Sequence, residues 1–233
     1  MSPRAALPMY DWPEARAATD RFFNALRAHV PELPAALTRP SDTAALHARW
    51  RDPALLLAQT CWGPMGQGLA AHVTVLAQPD YSDVPGGRGV FYRSALVARD
   101  GAACPVPATP GPVLPEGLAR RRLAINGADS LSGALALVAD AGVSLQGARV
   151  TGSHRASIRA VAEGGADLAA IDCRSWALAL EHEPAARALR VIGWTAERPG
   201  LPFITSRHTP APLRARLTDA LVALGAHAPA RAA

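Results

Sequence analysis

The stretch Ile125-Asn126-Gly127-Ala128-Asp129-Ser130-Leu131-Ser132-Gly133, followed about twenty residues later by Thr151-Gly152-Ser153-His154, decides how this chain is read. Each segment is a short turn rich in Gly, Ser and Asp. Each lies between an apolar, strand-like run and a run with helical spacing. Leu123 to Ile125 enters the first turn and Ala134 to Ala139 leaves it; Arg149 to Thr151 enters the second and Ala156 to Glu163 leaves it. A strand that ends in small hydroxyl residues opening a helix points backbone N–H groups and hydroxyls at one spot, the geometry of an anion cradle. Two cradles in succession predict a chain that holds a small oxyanion.

Composition is compatible with that reading. The chain has 233 residues, of which 49% are hydrophobic, enough for one sizeable core or two lobes. No apolar run approaches the length of a membrane span. The net charge is +5, and all 24 basic residues are Arg. They are spread along the chain, with one run at Arg120-Arg121-Arg122, and aromatic residues make up only 5%. A nucleic-acid binder would gather charge on one face with aromatics interleaved, so no nucleic-acid partner is expected. Cys61, Cys104 and Cys173 show no metal spacing and no CxxC pair, which reads as free or incidental thiols. Met1 to Leu7 carries no apolar h-region, so the chain as written shows no export signal.

Outward from the two turns, the pattern alternates. Ala5 to Met9 reads as a first strand ending at Tyr10-Asp11, with a helix from Pro13 to about His29. Ala44 to Trp50 reads as helical, and Ala54 to Ala58 as an apolar run ending at Gln59-Thr60-Cys61. Trp62 to Gly68 reads as a loop, and Val73 to Ala77 and Val90 to Ala98 as strands, the second long enough to cross between lobes. The Pro-dense segment Asp100 to Gly117 excludes regular structure and suggests a break between lobes. Beyond it come two βα units, Arg122–Gly142 and Ala148–Gly165. A strand at Leu168 to Ile171 follows and ends at Asp172-Cys173-Arg174-Ser175. A helix from Trp176, a strand at Leu189 to Gly193 and a closing helix at Pro210 to Leu224 complete the pattern. The alternation predicts an α/β fold with mainly parallel sheets and helices on both faces. Residues 1–98 and 189–233 are expected to form one lobe and 99–188 the other.

In such sheets ligands bind at the carboxyl ends of strands. The polar clusters at those ends are Tyr10-Asp11, Gln59-Thr60, Asp129-Ser130-Leu131-Ser132, Ser153-His154, and Asp172 with Ser175. Ser and Asp before a helix are also ordinary N-caps, so each cluster alone has a structural explanation. His154 could donate to an oxyanion or titrate near neutral pH. Asp172 beside an anion makes sense if the ligand carries a proton or an amine, or if the carboxylate orients His154. No GxSxG, P-loop, HExxH or Rossmann fingerprint is present. The seven His residues lie too far apart for a local metal site, and no cofactor is expected. Cys61 or Cys173 with His154 is the weak nucleophilic alternative.

The order of these motifs resembles the phosphate/phosphite/phosphonate substrate-binding proteins of ABC importers, a branch of the type II periplasmic-binding-protein fold. The residues that carry the resemblance are Leu7-Pro8-Met9-Tyr10, Phe91-Tyr92-Arg93-Ser94-Ala95-Leu96-Val97, Arg122-Leu123-Ala124-Ile125-Asn126, Asp129-Ser130-Leu131-Ser132-Gly133, Thr151-Gly152-Ser153-His154 with Ile158-Arg159-Ala160-Val161, and Gly165-Ala166-Asp167-Leu168-Ala169-Ala170-Ile171-Asp172. It runs from about Leu7 to Thr205. The resemblance implies two α/β lobes closing on a ligand, an ABC permease as partner, a monomer, and a periplasmic setting that contrasts with the missing export signal. By resemblance Ser130, Ser132 and His154 wrap the phosphonate oxygens, Leu131 contributes its backbone, Tyr10 lines the cleft and Asp172 supplies a carboxylate. Asn126 and Ser153 stand in the same motifs, and Gln59 and Thr60 fall where the first lobe contributes its wall. Leu131 departs from the family by replacing a hydroxyl residue. The competing readings are an enzyme of the same fold acting on a small carboxylate, and a ligand sensor.

Overall fold

The computed structural model describes residues 3–229. They divide into two units, one of residues 3–80 and 200–229 and one of residues 81–199.

The first unit is built on a four-stranded sheet in the order β1 (Arg4–Ala6), β2 (Leu55–Gln59), β12 (Phe203–Ser206), β3 (Val73–Ala77). Only β1 and β2 run parallel; β12 is antiparallel to both its neighbours. Helices α1 (Arg16–His29), α2 (Thr43–Trp50) and α7 (Ala211–Ala223) belong to this unit. Leu26 and Val30, at the helical spacing that the sequence shows, pack with Leu57, Leu76, Phe203, Leu217 and Leu221 into one core. Two local expectations need correction. The first helix begins at Arg16, because Trp12 to Ala15 closes a turn first, with the Ala15 N–H donating to the Trp12 carbonyl at 2.9 Å. The expected loop after Cys61 opens with a short helix, α3 (Trp62–Gly66), in which Pro64 sits in the first turn, where no N–H is needed.

The second unit carries a five-stranded sheet in the order β10 (Arg190–Trp194), β6 (Ser94–Ala98), β9 (Leu168–Asp172), β7 (Leu123–Ile125), β8 (Arg149–Val150). Strands β7, β8 and β9 are mutually parallel, while β6 is antiparallel to both β9 and β10. A small sheet of β4 (Gly87–Arg88), β5 (Phe91–Tyr92) and β11 (Arg198–Pro199) completes it. Helices α4 (Ala136–Ala141), α5 (His154–Ala162) and α6 (Cys173–His182) follow β7, β8 and β9. The sheets are therefore mixed, as expected for a type II periplasmic-binding-protein fold, with parallel pairing in the βα units and antiparallel pairing at β6, β10 and β12.

The division between units also differs from the expected one at residues 98 and 188. Strands β6 and β10 lie side by side in the second unit, so the chain passes between units near residues 80 and 200. The Pro-dense segment is accordingly no linker. It lies within the second unit and runs along β10, with the Cys104 N–H donating to the Val191 carbonyl at 2.8 Å and Val113 exchanging backbone bonds with Trp194. What fastens it is Arg93, whose side chain is 1% exposed. Its NH1 donates to the carbonyls of Gly111 (2.8 Å), Thr195 (3.0 Å) and Pro110 (3.4 Å), and NH2 to that of Thr109. Arg93 also divides the expected long strand into β5 and β6.

A second fastening has a pH signature. Glu183, buried at the end of α6, accepts from Arg155 Nε (2.7 Å) and Arg159 Nε (2.9 Å), both on α5. Burial alone would push this carboxyl up, but the two guanidinium bonds outweigh it and hold it down to about 2, against 4.5 ordinarily. A carboxylate with a depressed folded-state pKa contributes stability above its unfolded value and loses it as pH falls through the folded value. Stability should therefore drop by about 2 kcal/mol between pH 4.5 and 2. Acid titration of unfolding in Glu183→Gln checks this: the variant should be less stable at neutral pH and flatter across that window.

Candidate functional site

The second unit gathers its chemistry at one end of the five-stranded sheet. The carboxyl ends of β7, β8 and β9 and the amino end of the antiparallel β6 meet there, which brings Asn126, Thr151, Asp172 and Ser94 to the same edge.

After β7 the chain does not enter α4 directly. Residues Leu131–Leu135 form one π-helical turn, in which the Leu135 N–H reaches back five residues to the Ser130 carbonyl at 3.0 Å. Such a turn widens the helix start and occurs at functional sites more than elsewhere. The Ser130 hydroxyl caps it by accepting from the Gly133 N–H at 3.2 Å, and lies 3.4 Å from the Ser132 hydroxyl. Ser132 in turn stands 2.9 Å from His154 Nε2. His154 Nε2 is also 3.2 Å from Asp172 Oδ2, while the other oxygen of Asp172 accepts from the Ser175 N–H at 2.9 Å and caps α6. Ser130, Ser132 and Asp172 are buried, and the His154 side chain is 11% exposed.

A carboxylate only accepts, so the His154 tautomer with hydrogen on Nε2 is the one that can donate to Asp172. Burial pushes His154 below its ordinary value, with the Asp172 charge pulling the other way, and so favours the neutral ring. With hydrogen on Nε2, Nδ1 is a lone-pair acceptor, buried and without a hydrogen-bond partner among the described residues. Ser132 accepts at best a shared bond from Nε2, so its own hydrogen is available for an oxyanion. The site thus offers hydroxyl donors and helix-start N–H groups beside two acceptors, His154 Nδ1 and the Asp172 carboxylate.

Asn126 belongs to the same cluster. Its Oδ1 is buried without a hydrogen-bond partner among the described residues, and it occupies the space above Gly133: a Cβ on that glycine would fall 1.9 Å from Asn126 Oδ1 and 3.3 Å from His154 Cε1. The glycine of the Ser-Leu-Ser-Gly turn is therefore required by the close approach of Asn126. Leu131 is half-buried in the π-helical turn, as its apolar side chain demands. Ser153 is exposed and caps α5, accepting from the Ala156 N–H at 3.1 Å, which accounts for it without a ligand.

Ser94 escaped the sequence reading. It lies directly across from Asp172 in the β6–β9 pair, is 1% exposed, and its hydroxyl has no partner among the described residues. The signal was present, a hydroxyl residue opening the otherwise apolar run Ala95-Leu96-Val97. Only the strand pairing gives it meaning.

In the first unit, Tyr10 follows β1 and Gln59 ends the parallel β2, so both stand at one end of that sheet with Thr60. Gln59 is engaged internally, Nε2 donating to the Leu201 carbonyl at 3.2 Å. The Thr60 hydroxyl is buried with no partner among the described residues. As for the thiol alternative, Cys61 and Cys173 are both buried. Burial, and after it the Asp172 charge, push Cys173 up to about 12, so it holds its proton and is no nucleophile at neutral pH.

The geometry gathers hydroxyl and N–H donors of strand ends and helix starts at one edge of the sheet. The chain matches, over residues 5–233, the family described as ABC transporter, phosphonate, periplasmic substrate-binding protein, and it belongs to that family. It is therefore the binding component of an importer and not an enzyme. Among solved structures it is similar to PhnD1 from Prochlorococcus marinus in complex with methylphosphonate, at 17% identity and a TM-score of 0.69, covering 94% of this chain and 83% of that one. It is also similar to a binding-protein component of an ABC phosphonate transporter from Pseudomonas aeruginosa, at 17% identity and a TM-score of 0.66, covering 97% and 80%. A histidine kinase sensor domain with similarity to periplasmic binding proteins matches at 14% identity and a TM-score of 0.64, covering 97% and 98%. No curated relative matches the chain in sequence. At these identities the likeness shows the shared fold, that of the type II periplasmic-binding proteins.

Proposed function

We propose that Ser130, Ser132, His154 and Asp172 of the second unit, with Asn126 beside them, hold a phosphorus oxyanion that keeps one proton: phosphate, phosphite or a phosphonate. The observation that carries this is the row Ser132–His154–Asp172, with contacts of 2.9 and 3.2 Å, set at the mouth of the π-helical turn. Hydroxyls and N–H groups at the start of a helix stabilise the anionic oxygens. The His154 Nδ1 and the Asp172 carboxylate suit a P–O–H hydrogen. Sulfate, fully ionised at neutral pH, has no such hydrogen and would meet Asp172 as a bare like charge. An aminoalkyl phosphonate would satisfy the same acceptors through its ammonium group.

Calorimetric titration with methylphosphonate, phosphate, phosphite and sulfate tests the reading. The wild-type protein should bind at least one phosphorus anion and reject sulfate. Ser130→Ala combined with Ser132→Ala should cost at least a hundredfold, because each hydrogen bond to a charged group is worth about 1.5–3 kcal/mol. Asp172→Asn should narrow the gap between phosphate and sulfate. Unchanged affinity in the double variant, or sulfate bound by the wild type as tightly as any phosphorus anion, would refute the assignment. Tyr10, Gln59 and Thr60 enter the same titration as single substitutions.

A further inference from the structure

The opposite end of the five-stranded sheet has a different chemistry. Because β6 is antiparallel to the βα strands, its last residues lie beside the first residues of β7, β8 and β9, and β10 starts at that end too. Arg99 follows β6, Arg120-Arg121-Arg122 precede β7, Arg149 opens β8 and Arg190 opens β10. Two carboxylates face them, Asp100 and Asp167, and the acid Glu163 stands at the end of α5.

The carboxylates are already taken. Asp167 accepts from the Arg122 backbone N–H (2.9 Å), Nε (3.1 Å) and NH2 (2.6 Å), bonds that hold its carboxyl down to about 2. Asp100 accepts from Arg121 NH1 at 2.8 Å. Arg99, Arg120 and Arg149 are left with no side-chain hydrogen bond and no ion pair among the described residues. Arg99 lies over Gly164, where a Cβ would come within 3.1 Å of its NH1. Arg149 lies over Gly165, 2.2 Å from where a Cβ would stand. The glycine pair thus leaves room for both guanidinium groups. Beside Arg99 the surface forms a recess of about 440 Å³ lined by Arg99, Asp100, Arg120, Arg121 and Asp167.

We infer that this recess is a second anion site, distinct from the oxyanion cradle at the other end of the sheet, and that it takes a small, multiply charged phosphate compound. Guanidinium groups match phosphate oxygens in pairs, and the unpaired ones can turn to a ligand without breaking an internal bond. The volume is that of a small-molecule site. No aromatic residue lines it, as stacking on nucleic-acid bases would require, and no apolar residue lines it, as insertion into a lipid surface would require.

Inorganic tripolyphosphate is the probe, titrated calorimetrically into the full chain at low and moderate salt. Three proteins are compared: wild type, Arg99→Gln with Arg120→Gln, and Ser130→Ala with Ser132→Ala. The wild type and the serine variant should bind it saturably, more weakly as salt rises. The arginine variant should lose at least tenfold in affinity while keeping its circular dichroism and its response to methylphosphonate. The serine variant separates this site from the cradle, so a failed cradle assignment leaves the result readable. Equal binding by the arginine variant would overturn the inference, as would absence of saturable binding by the wild type. Adsorption to vesicles rich in anionic phospholipid without binding of free tripolyphosphate would overturn it as well.

Discussion

Gly133→Ala should abolish oxyanion binding, with at least a hundredfold loss of affinity in a chain that still folds. The added methyl would stand 1.9 Å from Asn126 Oδ1, a separation that no pair of such atoms tolerates, and 3.3 Å from the His154 ring. Asn126 or the π-helical turn must move. The Ser130 cap on the Gly133 N–H and the Ser132–His154 contact sit on that same turn, so donors and acceptors are displaced together. Misplacing a preorganised set costs far more than losing one of its bonds. The double variant Asn126→Ala with Gly133→Ala removes the clash and should recover part of the loss in the same titration. Wild-type affinity in Gly133→Ala alone would show that the turn does not hold the ligand.

Arg93→Met should be among the most destabilising single substitutions in the second unit, by about 3–5 kcal/mol. Its guanidinium, buried and bonded to the carbonyls of Thr109, Pro110, Gly111 and Thr195, also lies 3.5 Å from Glu197 Oε1. Removing it leaves several carbonyls without their donor and Glu197 with Arg88 as its remaining cation, the costly way to break a buried charged network. Arg93→Lys keeps the charge, but three hydrogens on one nitrogen cannot reach carbonyls spread around a planar fork. It should recover only part of the loss. Urea unfolding of the three proteins measures the series, and limited proteolysis should cut Asp100 to Gly117 first in both variants. A loss below about 1 kcal/mol in Arg93→Met would mean that the Pro-dense segment is held by its backbone bonds to β10 alone.

These two residues mark different degrees of legibility. Gly133 stood inside the motif that led to the fold, and its place at the start of a helix was readable from Ser130 and Ser132. What it must avoid was not, because Asn126 becomes its neighbour only when the turn closes back on the end of β7. Arg93 was one of 24 Arg residues, quoted in a motif but given no role. Nothing local distinguishes an Arg that anchors three carbonyls of a loop and one beyond β10 from one that sits in solvent.

The same contrast separates local signals from long-range pairing across the molecule. The turns at Asp129–Gly133 and Thr151–His154, the strands beside them and the buried face of α1 follow from short-range chemistry: capping hydroxyls, apolar runs and helical spacing. Those signals act within a few residues, so the sequence alone determined that there is an α/β chain with strand ends and helix starts rich in hydroxyl donors. Which strands lie side by side depends on contacts between segments far apart, and only the tertiary structure decided it. Placing β6 antiparallel to β9 set Ser94 opposite Asp172, drew the Pro-dense segment into the second unit, and moved the crossings to residues 80 and 200. It also gathered Arg99, Arg120 and Arg149 at the far end of the sheet, because an antiparallel strand ends where its parallel neighbours begin.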